Sequence, residues 1–348
     1  MASGVRRLAW PVGPGAAVRE CGSRTQQEVE MDQRGFDGGP AQLVLTASVA
    51  RRYYVDGRSK VDIAEEFQLS RFKVARLIES ARTSGLVRIE IGYAGVIDVD
   101  LSSRLQKAFG LRHALVIDSP EGHPSTLRKE LGRAAADLLS EIVTGEDVLG
   151  LAWARAVSAM TASLTRLAAT PVVQLTGALA RKDADENSIE LVREAARISG
   201  GPAYLFYAPL IVPDAATAAV MRHQPEIAEA FAHFGSVTKA VVGLGSWEAG
   251  QSTLYDAMRP EECEDLGARG VIADISGVFV DAAGAPVEGP VSARMIGIDA
   301  AQMQAIPEVI AIVYGGAKAP AVRAAVRGGL VNALVTHASL ARTLIGEG

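Results

Sequence analysis

Between residues 114 and 335, short apolar runs alternate with stretches whose apolar residues recur at helical spacing, and this alternation narrows the fold more than any other property of the chain. The runs cover 114–117, 148–153, 172–175, 203–207, 239–244, 270–275, 309–314 and 333–335. The helical stretches lie near 127–141, 157–167, 188–198, 215–234 and 321–328. Strands separated by helices pair in parallel, because a parallel connection needs a crossover long enough to hold a helix. Runs this continuously apolar are buried on both faces. The expected class is therefore α/β, a mostly parallel sheet with helices on each side. Composition agrees, since 348 residues at 49% hydrophobic supply a large core without disulfide or metal staples. Aromatics at 5% suit a glycine-hinged sheet better than an aromatic-rich β-sandwich. No internal repeat interrupts the pattern.

The region ahead of the alternation reads differently. Residues 1–41 lack periodicity and are expected to form a disordered tail. Arg6-Arg7 before Leu8-Ala9-Trp10 has the look of a targeting signal, but Pro11, Gly13 and Pro14 break its apolar run. Met31, just ahead of the first periodic segment, is a second position at which translation can begin. Residues 42–92 then read as a winged helix-turn-helix. Leu43, Ala47, Ala50 and Tyr54 mark a first helix. Ser59 caps a second carrying Ile63, Ala64 and Phe67, and Ser70 caps a third. In the third, Val74, Leu77, Ile78 and Ala81 form the buried stripe, and a short strand follows over 86–91. Arg71, Phe72, Lys73 and Arg76 then face outward near the helix start, where a recognition helix presents its base-reading side chains. Residues 43–91 hold nine Lys or Arg against six Asp or Glu, although the whole chain has a net charge of −5. Segregated basic charge of this kind suits phosphate contact. A solvated basic face on a protein-interaction module is the other reading of the same residues.

In open parallel sheets, ligands bind outside the carboxyl ends of the strands. The run 309–314 leads into Gly315-Gly316-Ala317-Lys318-Ala319-Pro320, where bare N–H groups at a helix start plus an ammonium make an anion site, unless the glycines only permit a turn and Lys318 is solvated. Gly243-Leu244-Gly245-Ser246 is a second glycine-rich strand end. Further tips are Gly150 to Arg155 and Gln174-Leu175-Thr176-Gly177. Trp153 either packs or stacks on a sugar ring, and Asp274 either caps a turn or accepts ligand hydroxyls. Residues 93–108 form a connector in which Asp98 or Asp100 starts a helix bearing Leu101, Leu105 and Ala108, and 109–348 form the ligand-binding domain.

Three segments carry a family resemblance: Tyr53-Tyr54-Val55-Asp56-Gly57, Ile63-Ala64-Glu65, and Leu69-Ser70-Arg71-Phe72-Lys73-Val74-Ala75-Arg76-Leu77. They resemble the DNA-binding end of the SorC family of sugar-responsive transcriptional regulators, with Ala75 where that family often has Ser. Gly270-Val271-Ile272-Ala273-Asp274-Ile275-Ser276-Gly277-Val278-Phe279, Asp281, Gly284 and Gly315-Gly316-Ala317-Lys318 resemble its effector domain, so the likeness spans about 43–345. The resemblance implies a fold similar to sugar-phosphate isomerases and glucosamine-phosphate deaminases. It also implies a sugar, polyol or sugar-phosphate effector that alters affinity for a double-stranded DNA operator, and self-association as dimer or tetramer. Where the family usually has Gly-x-Ser-x-Gly-x-Thr, this chain has Gly150, Ala152, Ala154 and Ala156. Gly177-Ala178 stands for a common Gly-Gly, and His337 for a frequent Asp. The lost hydroxyls imply an effector that is unphosphorylated or anchored mainly by Lys318.

The expectation is thus a ligand-controlled transcriptional regulator, acting as a repressor. An isomerase- or deaminase-like enzyme with an accessory helical module is the alternative. The five histidines show no triad or metal spacing, and no cofactor or metal is implied. Cys21 and Cys263 lie far apart, as in a reduced cytoplasmic protein, and no apolar run reaches the ~18 residues of a membrane span.

Overall fold

The computed structural model describes residues 39–87, 97–120, 123–179 and 188–346. The expected tail up to residue 38 and most of the strand at 86–91 lie outside the described residues. The chain divides into two compact units between residues 90 and 91.

The smaller unit contains α1 (Pro40–Tyr54), α2 (Lys60–Glu66) and α3 (Arg71–Thr83). Helix α1 begins at Pro40, inside the expected tail, because proline needs no N–H partner at a first helical position. Val49, Ile63, Val74, Leu77 and Ile78 form the core. The stripe on α3 is as its spacing predicts, whereas α1 is rotated. Thr46, Val49 and Ala50 point inward and Leu43 and Tyr54 are exposed. Periodicity alone accommodates both faces of α1, and packing on α3 selects one. Both caps form. Ser59 Oγ accepts the Asp62 N–H at 3.2 Å while Asp62 accepts the Ser59 N–H, and Ser70 Oγ accepts the Lys73 N–H at 3.2 Å. Gln68, at φ 51°, makes the turn between α2 and α3.

The larger unit begins with α4 (Val99–Phe109), capped by Asp98. Its Leu101 and Leu105 are buried and it packs on the first strand of the sheet, so it is part of this unit's core rather than a free connector; Ala108 is exposed. There follow β1 (His113–Ile117), α5 (Pro124–Ile142), β2 (Leu149–Leu151), α6 (Arg155–Ser163), β3 (Val172–Gln174), α7 (Ser188–Ser199) and β4 (Ala203–Tyr204). Then come α8 (Ala215–Arg222), α9 (Pro225–Ala232), β5 (Lys239–Ser246), α10 (Thr253–Ala257), α11 (Pro260–Ala268), β6 (Ala273–Ile275) and β7 (Val278–Val280). The chain closes with α12 (Ala300–Ala305), β8 (Glu308–Val313), α13 (Ala319–Arg327), β9 (Ala333–His337) and α14 (Ala338–Ile345).

Seven strands pair in parallel in the order β1-β9-β8-β5-β2-β3-β4. Alternate residues of each strand face opposite ways. Val241, Ile310 and Leu151 pack under α5, α6 and α7, while Ala240, Val242 and Ala311 pack on the face carrying α4, α13 and α14. Both faces are thus dry, as the unbroken apolar runs require. Two expectations need correction. The helix near 215–234 is two helices, because Pro225 cannot donate within a continuous one. The run at 270–275 is not a parallel strand. Its β6 forms a hairpin with β7 through Ser276-Gly277, both at positive φ, and pairs antiparallel with the last residues of β5. Among the described residues no helix is long and apolar enough to cross a membrane.

Ile63 is fully buried at the centre of the small helical core. Ile63→Ala is expected to destabilise that unit by about 2–4 kcal/mol. Hydrogen exchange should show faster exchange of α1–α3 amides and unchanged protection in the parallel sheet.

Candidate functional site

Strand β5 is eight residues long and does two things in succession. Its first five residues pair in parallel with β8, and its first three with β2, while Leu244, Gly245 and Ser246 run on to meet β6. The cleft lies where β5 leaves the parallel sheet, at the carboxyl ends of β2, β3 and β8. Its volume is about 410 Å³, enough for a small polar ligand.

Asp274 lies opposite Gly245 in the β5–β6 ladder and is buried. Ser252, which caps α10, donates a hydrogen bond to its carboxylate. A Cβ on Gly245 would lie 2.6 Å from Ser252 Cβ and 2.8 Å from Asp274 Oδ1, so this pair fits only over a bare backbone. Burial pushes the Asp274 pKa up to about 6, against the opposing pull of Ser252 and Lys318. Lys318 is held by the turn before α13, with Nζ 3.4 Å from the Leu244 carbonyl oxygen and 5.8 Å from the Tyr314 ring centre. Burial lowers its pKa; Asp274 opposes this, and Arg155 and Arg128 add to it. Arg155 opens α6, and Arg128 reaches over from α5, its Nε donating to the Tyr314 hydroxyl at 3.3 Å. Among the described residues three cations therefore surround the cleft, with Asp274 buried in it and Asp256 at its rim.

Of the residues expected from the sequence, Trp153, Arg155, Gly177, Gly245, Asp274, Gly315 and Lys318 line this one cleft. Three do not. Gly150 lies within β2, where a Cβ would strike the side chains of Leu175 and Val237 at 2.9 Å. Gln174 is fully buried; its amide donates to the Thr176 carbonyl and Ser188, and accepts the Phe206 N–H. Gly316 sits behind Gly315 against Thr343. The cation set is also wider than Lys318 alone. Arg128 belongs to no motif in the sequence, although it stands one turn ahead of the buried Leu131 and Gly132 of α5, and Ser252 reads only as a helix cap. Thr176 and Ser276 supply further hydroxyls: Thr176 Oγ1 accepts the Trp153 N–H at 3.2 Å, and Ser276 Oγ accepts the Gly243 N–H at 3.2 Å. His337 caps α14, with Nε2 3.0 Å from the Ser119 carbonyl oxygen. Among the described residues no cluster of His, Cys, Asp or Glu is arranged to hold a metal.

On the smaller unit, α3 keeps Val74, Leu77, Ile78 and Ala81 inside and leaves Arg71, Phe72, Lys73 and Arg76 exposed. Ser59 and Ser70 cap their helices at the start of α2 and α3. A helix-turn-helix unit joined to a parallel α/β unit with a charged cleft defines a ligand-responsive DNA-binding regulator.

Comparison with known proteins makes the assignment specific. Residues 96–346 match the family described as "Putative sugar-binding domain". The transcriptional regulator LsrR of Klebsiella pneumoniae is 30% identical over 311 residues, covering 88% of this chain and 94% of that protein. The sorbitol operon regulator of Klebsiella pneumoniae is 25% identical, covering 86% and 97%. The crystal structure of full-length SorC from Klebsiella pneumoniae shares the fold with a TM-score of 0.68 at 24% identity, covering 89% of this chain and all of that one. The chain belongs to the sugar-binding-domain family of SorC-type transcriptional regulators. It is a transcriptional regulator, and the alternative expected from the sequence, an isomerase- or deaminase-like enzyme, is not what its relatives are.

Asp274 generates a pH dependence whose sign follows from its shift. Its pKa in the folded protein, about 6, lies above the ordinary 3.8. Its contribution to stability is therefore complete below about pH 4 and is lost as pH rises through about 6. Asp274→Asn cannot ionise, so urea unfolding should show a smaller loss of stability between these pH values than in the parent.

Proposed function

We propose that this chain is a cytoplasmic repressor, assembled at least as a dimer, whose affinity for a double-stranded operator is set by a phosphorylated sugar or polyol in the cleft. The observation that carries the effector reading is the convergence of Arg128, Arg155 and Lys318 on one cavity that also buries a carboxylate. Burial first, and then Arg155 and Arg128, lower the Lys318 pKa, and a bound anion relieves the repulsion among these cations and replaces lost hydration. Asp274, with Ser252 beside it, supplies the opposite chemistry, an acceptor for hydroxyl groups. A polyhydroxylated molecule with an anionic end satisfies both. The alanines at 152 and 156 leave this charge to do what hydroxyls at those two positions would otherwise share. Trp153 and Gly177 complete the wall, and Gly315 shapes the turn that delivers Lys318.

DNA recognition belongs to α3. Arg71 and Lys73 flank its start, and Arg76 lies one turn on. The Arg71 fork matches the guanine edge in the major groove, and Arg76 reaches phosphate. Two such helices in a dimer meet half-sites one or more turns apart. The effector acts by binding one arrangement of the dimer better than the other, since only differential affinity shifts an equilibrium.

Calorimetry with matched sugar and sugar-phosphate pairs tests the effector. The phosphorylated member should bind more tightly, and Lys318→Ala or Arg128→Ala should erase about 10- to 100-fold of its affinity, the worth of one hydrogen bond to a charged group. Equal affinity for both members of every pair would refute an anionic effector. For DNA, anisotropy at two salt concentrations should show steep loss of affinity with salt. Arg71→Ala should relax sequence preference, and Arg76→Ala should weaken operator and random duplex alike.

A further inference from the structure

Phe72 stands at the crest of α3. At about 100° per residue it lies nearly opposite the stripe of Val74, Leu77, Ile78 and Ala81, and it is 85% exposed. Single exposed apolar residues are ordinary on protein surfaces; what distinguishes this one is its setting. Arg71 and Lys73 flank it and Arg76 follows one turn later, all exposed. A polyanion drawn to these cations meets the phenyl ring at the outermost point of the helix.

We propose, building on the DNA-binding reading above, that Phe72 reads the 5-methyl group of a thymine on the floor of the major groove. Base edges there present hydrogen-bond donors and acceptors, and the thymine methyl is the bulkiest apolar group among them. Phenylalanine offers neither donor nor acceptor, so contact with any other edge strips water from a polar group without replacing its hydrogen bond. The flanking cations cannot make this distinction through phosphate, whose charge is the same in every sequence. Their attraction brings the ring into the groove, and the methyl group decides where it rests. The Ser70 cap and the buried stripe hold the first turn of α3 in place, so the ring arrives on a preformed helix.

The test uses the full chain. Selection from a random duplex library at fixed salt defines a preferred site, and each thymine in it is then replaced singly by deoxyuridine, which removes the methyl group and leaves base pairing intact. At one thymine per half-site the parent should lose about 4-fold in affinity, the worth of one buried methylene-sized group. Phe72→Ala should bind the thymine and uracil duplexes equally, and Phe72→Leu should keep part of the preference. Circular dichroism of both variants should match the parent, because the side chain supports no core. Selective binding with no sensitivity to any thymine methyl, or a penalty that persists in Phe72→Ala, would overturn the methyl assignment and leave DNA binding standing. Absence of any salt-sensitive preference among duplexes would overturn both together.

Discussion

Asp274 sits in the one place where β5 is no longer flanked by parallel neighbours. Three conditions meet there: the ladder places Asp274 across from Gly245, the glycine leaves room above the backbone, and Ser252 fills that room and donates to the carboxylate. A carboxylate this buried is unfavourable unless compensated. Lys318 supplies opposing charge from the turn that follows β8. Every other feature of the cleft is arranged around this pair. The hairpin that carries Asp274 is clasped to β5 through Ser276 and Gly243, and α6 and α5 bring Arg155 and Arg128 to the remaining side.

The two ends of β5 show how differently one strand can treat the same kind of residue. At the amino end, Asp147 meets Lys239 at 2.7 Å and is further held by Thr238 and Thr144. Burial pushes its pKa upward, but these hydrogen bonds outweigh it and hold the group at about 2. At the carboxyl end burial prevails, and Asp274 is raised to about 6. The first carboxylate is fully partnered within the fold and tightens the sheet. The second keeps capacity for further hydrogen bonds beside cations that repel one another. Strained electrostatics of this kind is characteristic of binding sites, and it lies at the end of the sheet where parallel folds place their ligands.

Much of this was legible without coordinates. Helix α3 was, because its caps and stripe are set by neighbours within one or two turns. Trp153, Gly177, Gly245, Asp274 and Lys318 were also legible, because strand ends are marked by where apolar runs stop, and residues just beyond them open onto the ligand side. Gly150 and Gln174 misled for the same reason. Gly150 lies one residue inside the end of β2, and Gln174, the last residue of β3, is turned into the fold by its bonds to Thr176, Ser188 and Phe206. Arg128 was hidden: a lone arginine on a helix looks solvated until α5 is laid beside Tyr314, whose position is 186 residues away in the chain. The antiparallel hairpin was missed because three-residue strands on either side of a two-residue turn leave too short a pattern to separate from one buried run.

The sequence by itself determined the class of fold, the helix-turn-helix with its basic outward face, and the glycine, lysine and aspartate at the strand ends. These follow from periodicity, capping and turn chemistry, which act over a few residues. Tertiary structure alone decided which strand ends share a cleft, that three cations converge there, and that one carboxylate is buried among them. Those outcomes depend on strand order and on helices packed across the sheet. They are contacts between residues far apart in the chain, and desolvation arises only once those contacts have closed.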